Sequence, residues 1–137
     1  MQLVTEPLLE PAVGQALIDY LDAQRATLGL GTASVSARVE DAPHIRIVES
    51  GGSGDRDLVI FGQQITIETF GGTLTVTSDL MRRTMAGIRA VTHTVQGAVT
   101  FYGLRTLGGG SNTEDPVTKR VRYTRTFVID ARLTPLT

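Results

Sequence analysis

Leu9, Val13, Ala16, Leu17, Tyr20 and Leu21 recur in steps of four, three and one, the stripe of a helix face, while Gln15, Asp19, Asp22 and Gln24 fall opposite. Pro11 fits a first turn, where its missing N–H costs nothing, and Gly29 and Gly31 stop the helix, so the pattern predicts a helix over 11–26. After Gly31 the period becomes two. Ala33, Val35, Ala37 and Val39 alternate with Thr32, Ser34, Ser36 and Arg38, a half-buried strand. Asp41-Ala42-Pro43 turns the chain into a second strand over 44–49 with Ile45 and Ile47 on one face. The Gly/Ser/Asp-rich stretch 50–57 reads as a flexible connector. A third strand over 58–70 sets Ile65, Ile67 and Thr69 against Thr66, Glu68 and Phe70, with Gly62 marking a bulge or close approach.

Gly71-Gly72 ends that strand. Thr77 or Ser78 can cap a second helix whose apolar face is Met81, Met85, Ile88 and Val91, with Arg82, Arg83 and Arg89 outside it. Gly97 opens a fourth strand over 98–107, and 108–116 is a second flexible loop. The final strand, 119–133, alternates most clearly: Val121, Tyr123, Arg125, Phe127, Ile129, Ala131 and Leu133 share one face, Arg120, Arg122, Thr124, Thr126, Val128, Asp130 and Arg132 the other. At ~3.3 Å per residue it would run about 50 Å, so it bends or projects to pair with something outside. The order α-β-β-β-α-β-β predicts one α+β domain over 1–137, a mostly antiparallel sheet of about five strands flanked by two helices.

Composition narrows what such a domain does. With no cysteine, the chain has no disulfide framework, thiolate zinc site, iron–sulfur cluster or cysteine nucleophile. The longest apolar run is Leu58-Val59-Ile60-Phe61, far short of a membrane span, and no basic residue precedes Arg25, so the start lacks a secretory signal's charge. Twelve of the thirteen basic residues are Arg, the side chain suited to contact surfaces. The net charge of −1 hides an asymmetry: residues 1–60 carry 4 basic and 9 acidic side chains, residues 61–137 carry 9 and 5. Such a polar chain suits head-to-tail association.

The search for catalytic chemistry finds little. His44 and His93 have no partner at ligand spacing, which leaves no metal or other cofactor expected. Asp55-Arg56-Asp57 lacks the rest of a calcium loop, and the glycine runs at 51–54 and 108–110 lead into no helix and no Gly-Lys-Ser/Thr, so they do not cradle phosphate. Glu49 and Glu68, on neighbouring strands, are the one carboxylate pair to consider for acid–base work. Arg120, Arg122 and Arg132 could line a nucleic-acid surface with Tyr102 and Tyr123 stacking, but aromatic content is 5% and the net charge negative.

What the chain does resemble is a family of virion proteins. The helix ending Ile18-Asp19-Tyr20-Leu21 is followed by Ala42-Pro43-His44-Ile45-Arg46-Ile47 and Gly51-Gly52, then Asp57 and the strand Ile65-Thr66-Ile67-Glu68-Thr69-Phe70-Gly71. The helix Asp79-Leu80-Met81-Arg82-Arg83, then Gly108-Gly109, Asp115-Pro116 and Arg122-Tyr123-Thr124-Arg125-Thr126-Phe127 complete the series. In that order they resemble the tail terminator (tail completion) proteins of long-tailed bacteriophages with non-contractile tails. Val121-Arg122-Tyr123 stands where the family carries Pro-Arg before the Tyr.

The resemblance implies a non-enzymatic structural protein, made in the host cytoplasm and placed at the head-proximal end of the virion tail. It implies a homohexameric ring that caps the tail tube, stops its polymerisation and offers the filled head its attachment surface. The implied partners are the ring's own copies, the tail tube protein, a head completion or connector protein, and genome DNA passing through the lumen without sequence recognition; no membrane is involved. Expected subunit or tube contacts are Arg120, Arg122, Arg125, Arg132, Asp55 and Asp57, with Arg125 seeking a carboxylate because it interrupts an apolar face. Two other readings stay open: another head–tail joining or minor tail protein, and a small cellular ligand-binding domain or enzyme.

Overall fold

Two long antiparallel strands form the middle of the sheet, and each is edged by an outer strand that is interrupted once. The computed structural model describes residues 7–52, 54–56 and 59–135, and for residues 55 and 56 their backbone. Its elements are β1 (Leu8–Leu9), α1 (Val13–Ala23), α2 (Arg25–Leu28), β2 (Ser34–Ser36), β3 (His44–Glu49), β4 (Gly54–Arg56) and β5 (Ile60–Phe70). There follow α3 (Leu74–Val91), β6 (Val95–Gln96), β7 (Val99–Thr106), β8 (Ser111–Glu114), β9 (Val121–Arg132) and β10 (Thr134–Pro135). The main sheet has eight strands in the order β2-β3-β5-β9-β7-β6, with β4 also on β5 and β8 also on β9; β1 and β10 form a separate two-stranded ribbon.

The α+β class is as expected, but the sheet is larger and mixed. β2 lies parallel to β3, Val35 opposite Ile45. A short connector favours a hairpin, hence the antiparallel expectation; here the strap 37–43 instead carries the chain back. His44 Nε2 and Arg120 Nη1 pin that strap by donating to the carbonyls of Arg38 (2.5 Å) and Glu40 (2.8 Å). The departure into the strap also cuts the expected 32–39 strand to three residues.

The stretches read as flexible, 50–57 and 108–116, each contain a strand, β4 on β5 and β8 on β9. β9 therefore needs nothing outside the chain. It pairs with β5 from Tyr123 to Arg132 on one edge, and with β8 and then β7 on the other.

α1 and α3 cover the same sheet face. Val13, Leu17 and Leu21 of α1 and Met81, Met85, Ile88 and Val91 of α3 pack on Ile45, Ile47, Ile65, Ile67, Phe127 and Ile129. Each such fully buried aliphatic side chain stabilises the fold by roughly 1.5–3 kcal/mol relative to exposure. The first helix is broken at Gln24, and Gly29 closes α2 in the left-handed conformation (φ 67°). α3 starts earlier than expected. Its cap is Thr73, whose hydroxyl accepts from Val76 N–H (3.3 Å), whereas Thr77 is buried within the first turns, its hydroxyl accepting from Gly71 N–H (2.9 Å). The other sheet face carries no helix among the described residues.

Candidate assembly surface

The helix-free face is built from the polar half of each strand's alternation. Arg46 of β3 stands directly opposite Glu68 of β5, and Glu68 opposite Thr124 of β9. This register lets Arg46 Nη1 donate to Glu68 Oε1 (2.8 Å) and Arg122 Nη1 to Glu68 Oε2 (2.8 Å), while Arg122 Nε reaches Thr113 Oγ1 on β8 (3.2 Å). One carboxylate thus ties together four strands. Its side chain keeps 10% of its surface exposed, so its two charge-assisted bonds are little screened.

At one end of this face lies a ring cluster. His44 and Phe70 are cross-strand partners with rings 6.2 Å apart and nearly parallel. The Arg120 guanidinium sits 4.3 Å from the Phe70 centroid, a cation–π contact worth on the order of 1 kcal/mol. At the opposite end Asp130, mostly buried, faces Arg105 at 3.9 Å.

The charged positions singled out from sequence do not converge on one patch. Arg120 and Arg122 are held within their own chain by the contacts just described. Arg132 is exposed at the far end of β9, opposite Ile60, and ten residues at ~3.3 Å place it roughly 33 Å from Arg122. Asp55 lies on β4 opposite Phe61, near that same end; Asp57 lies outside the described residues. Arg125 stands opposite Ile67 on the helix-covered side, half-buried, with an Nε that is buried and has no hydrogen-bond acceptor among the described residues. Of the two residues at the centre of the network, the sequence offers Glu68 only as half of a carboxylate pair with Glu49 and Arg46 only within a motif; they share a phase of alternation, but register alone makes them partners.

The catalytic candidates separate. Glu49 falls on the helix side, its Oε1 accepting the Gly14 N–H at the start of α1 (3.2 Å), whereas Glu68 is on the other face. They form no acid–base pair. Tyr102 and Tyr123 are both half-buried, Tyr123 against the core. No group of three His, Cys, Asp or Glu residues that could hold a metal occurs among the described residues. No described helix is long and apolar enough to cross a membrane.

No protein-family model matches this sequence, and no curated protein matches it. Among solved structures the chain is similar to one from the virion of a native gene transfer agent (GTA) particle, at 17% identity and a TM-score of 0.53. The match covers 89% of this chain and 94% of that one, so the two share a fold over nearly their whole lengths.

Proposed function

We propose that this chain is a structural protein of a phage-like virion, a tail terminator that caps the tail tube as a homohexameric ring and offers the surface to which the filled head attaches. The observation that carries this reading is the fold shared, nearly end to end, with a component of a gene transfer agent virion. The ordered series of motifs from Ile18-Asp19-Tyr20-Leu21 to Arg122-Tyr123-Thr124-Arg125-Thr126-Phe127 narrows it to the tail terminator. The mechanism is geometric and needs no catalysis or cofactor. A head-to-tail interface that closes on six-fold rotation covers the tube's growing face and presents a different face upward to a connector protein, with DNA passing through the lumen.

Within this reading Arg132 and the strand bearing Asp55 form one contact edge, and Arg125 takes a carboxylate from the neighbouring subunit. Arg125→Ala then leaves the monomer folded and weakens ring closure by ~2–5 kcal/mol per contact. The test is to polymerise tail tube subunits with and without the purified chain and to image the ends. Rings on tube ends, and tubes of limited length, support the proposal; Arg125→Ala should give longer tubes. Binding to portal complexes in place of tube ends would assign the chain to another head–tail joining role.

A further inference from the structure

The β8–β9 hairpin ends in a turn, 115–120, that is fixed from within. Asp115 Oδ1 accepts the N–H groups of Val117 (2.9 Å) and Thr118 (3.0 Å), the Asp115 carbonyl accepts from Lys119 N–H (2.8 Å), and its own N–H donates to the Arg120 carbonyl (2.9 Å). The two N–H donors hold the Asp115 carboxyl below the usual carboxylate range. Arg120 anchors the root of the turn on Phe70 and on the Glu40 carbonyl. On this stiff support Val117 is 87% exposed, followed by the exposed Lys119, the only lysine of the chain. An apolar side chain presented by an ordered turn loses little freedom on docking.

Beside the far end of β9, where it pairs with β7, lies a groove of about 320 Å³ between α1 and the β6–β7 turn, lined by Ala16, Tyr20, Ala23, Ala98 and Val99. Asp19 stands at its rim, exposed and held by Gln15 Nε2 (2.9 Å). The register fixes the separation: Val121 pairs with Glu114 beside the tip, while Ala131 pairs with Phe101 beside the groove. Ten residues of strand make that roughly 33 Å, so no chain with an intact ladder can seat its tip in its own groove.

We propose that the Val117 tip of one copy of this chain docks into the α1/β6–β7 groove of the next, with Lys119 set against Asp19. A knob and a hole at opposite ends of β9 make a heterologous interface, the kind that closes into a ring. Lys119 belongs to the basic half of the sequence and Asp19 to the acidic half, so the pairing opposes like-ended association. The proposal deepens the ring reading and rests on it for the value six.

Because the chain has no native cysteine, the contact can be trapped directly. Val117→Cys with Ala23→Cys in one concentrated, oxidised full-length chain should give a ladder of disulfide-linked species ending in a closed form. Each single variant should stop at dimers. Val117→Asp, a change at an exposed turn, should raise the concentration for half-assembly at least about tenfold. Lys119→Asp with Asp19→Lys should restore assembly that either change alone weakens. A ladder closing at a number other than six would support the interface and overturn the hexamer. Absence of a ladder, or Val117→Asp assembling like the unaltered chain, would overturn the interface even where rings on tube ends are seen.

Discussion

The hairpins β3–β4–β5 and β7–β8–β9 are two versions of one construction. In each, a long inner strand is edged by an outer strand that is interrupted once, between Glu49 and Gly54 in the first and between Thr106 and Ser111 in the second. The interruptions differ in how they are closed. In the first, Ser50 N–H donates to the Gln64 carbonyl (2.9 Å), Gln64 N–H to the Gly51 carbonyl (2.8 Å), and the buried Gln63 amide to that same carbonyl (2.8 Å). Gly52 then runs so close to β5 that a Cβ would lie 2.1 Å from the Gly62 carbonyl oxygen. In the second, Leu107 N–H donates to the Thr126 carbonyl (3.0 Å), and Gly110 lies against the Tyr123 ring, 2.1 Å from where a Cβ would be. The first interruption is stitched by two backbone bonds, the second by one. Glycine in both places serves close approach, to the backbone of β5 in the first and to the ring of Tyr123 in the second.

The largest expected effect tests that contrast. Gly52→Ala places a Cβ into backbone at φ +147°, which L side chains avoid, so both strain and overpacking oppose it and the cost should reach about 3 kcal/mol or more. A urea midpoint close to that of the unaltered protein would mean that the first interruption is as loose as the second.

Next in size is the link between the hairpins. Glu68→Gln leaves Arg46 and Arg122 facing one another without their shared anion. Because those arginines keep 32% and 21% of their side-chain surface in solvent, the loss should be about 2–3 kcal/mol, below the fully buried case. Arg46→Met should cost less, since Arg122 still pairs with the carboxylate. Equal costs in chemical denaturation would show that Arg122 alone does not hold Glu68.

Gly110→Ala should cost about 1–2 kcal/mol, and the same change in a Tyr123→Ala background should cost under about 0.5 kcal/mol, because the ring it strikes is gone. Additive costs in that double-mutant cycle would place the clash elsewhere.

The smallest effect is a pH dependence confined to the second hairpin. The Thr118 and Val117 N–H groups lower the Asp115 pKa in the folded chain. Stability from this source is therefore present above the unfolded value, near pH 4, and is lost as the pH falls through the lower folded value. Asp115→Asn, whose side-chain oxygen can accept the same two bonds, should flatten the acid limb of stability against pH without abolishing the turn. An unchanged acid limb in that variant would assign the dependence to other carboxylates.

Much of this architecture is legible in the alternation of the sequence itself. The alternation of Ile45 and Ile47 sets β3 at 44–49, and the phase of Phe127, Ile129 and Ala131 marks the helix-covered side of β9, although Val128 and Asp130 of the other face are buried too. Gly29 is the helix stop it was read to be. What escaped was set by tertiary partners. β4 and β8 carry glycine and polar residues with no alternation and exist because β5 and β9 offer open edges. The parallel placing of β2 depends on a strap held by His44 and Arg120, the latter 80 residues beyond the Glu40 whose carbonyl it holds. Likewise the arginines read as one contact face are divided by register, two engaged inside the chain and one at the far end.

The small β1–β10 ribbon puts Leu8 beside Pro135 and Leu9 beside Thr134. A chain whose first and last strands are neighbours can be rewired with little change of shape. A short linker joining the two sides of the ribbon, with new ends opened in another exposed turn, should preserve every ladder of the main sheet. Anything fused beyond either strand also leaves from one spot on the surface. In the proposed ring, tags appended there would repeat once per subunit at a single level along the axis.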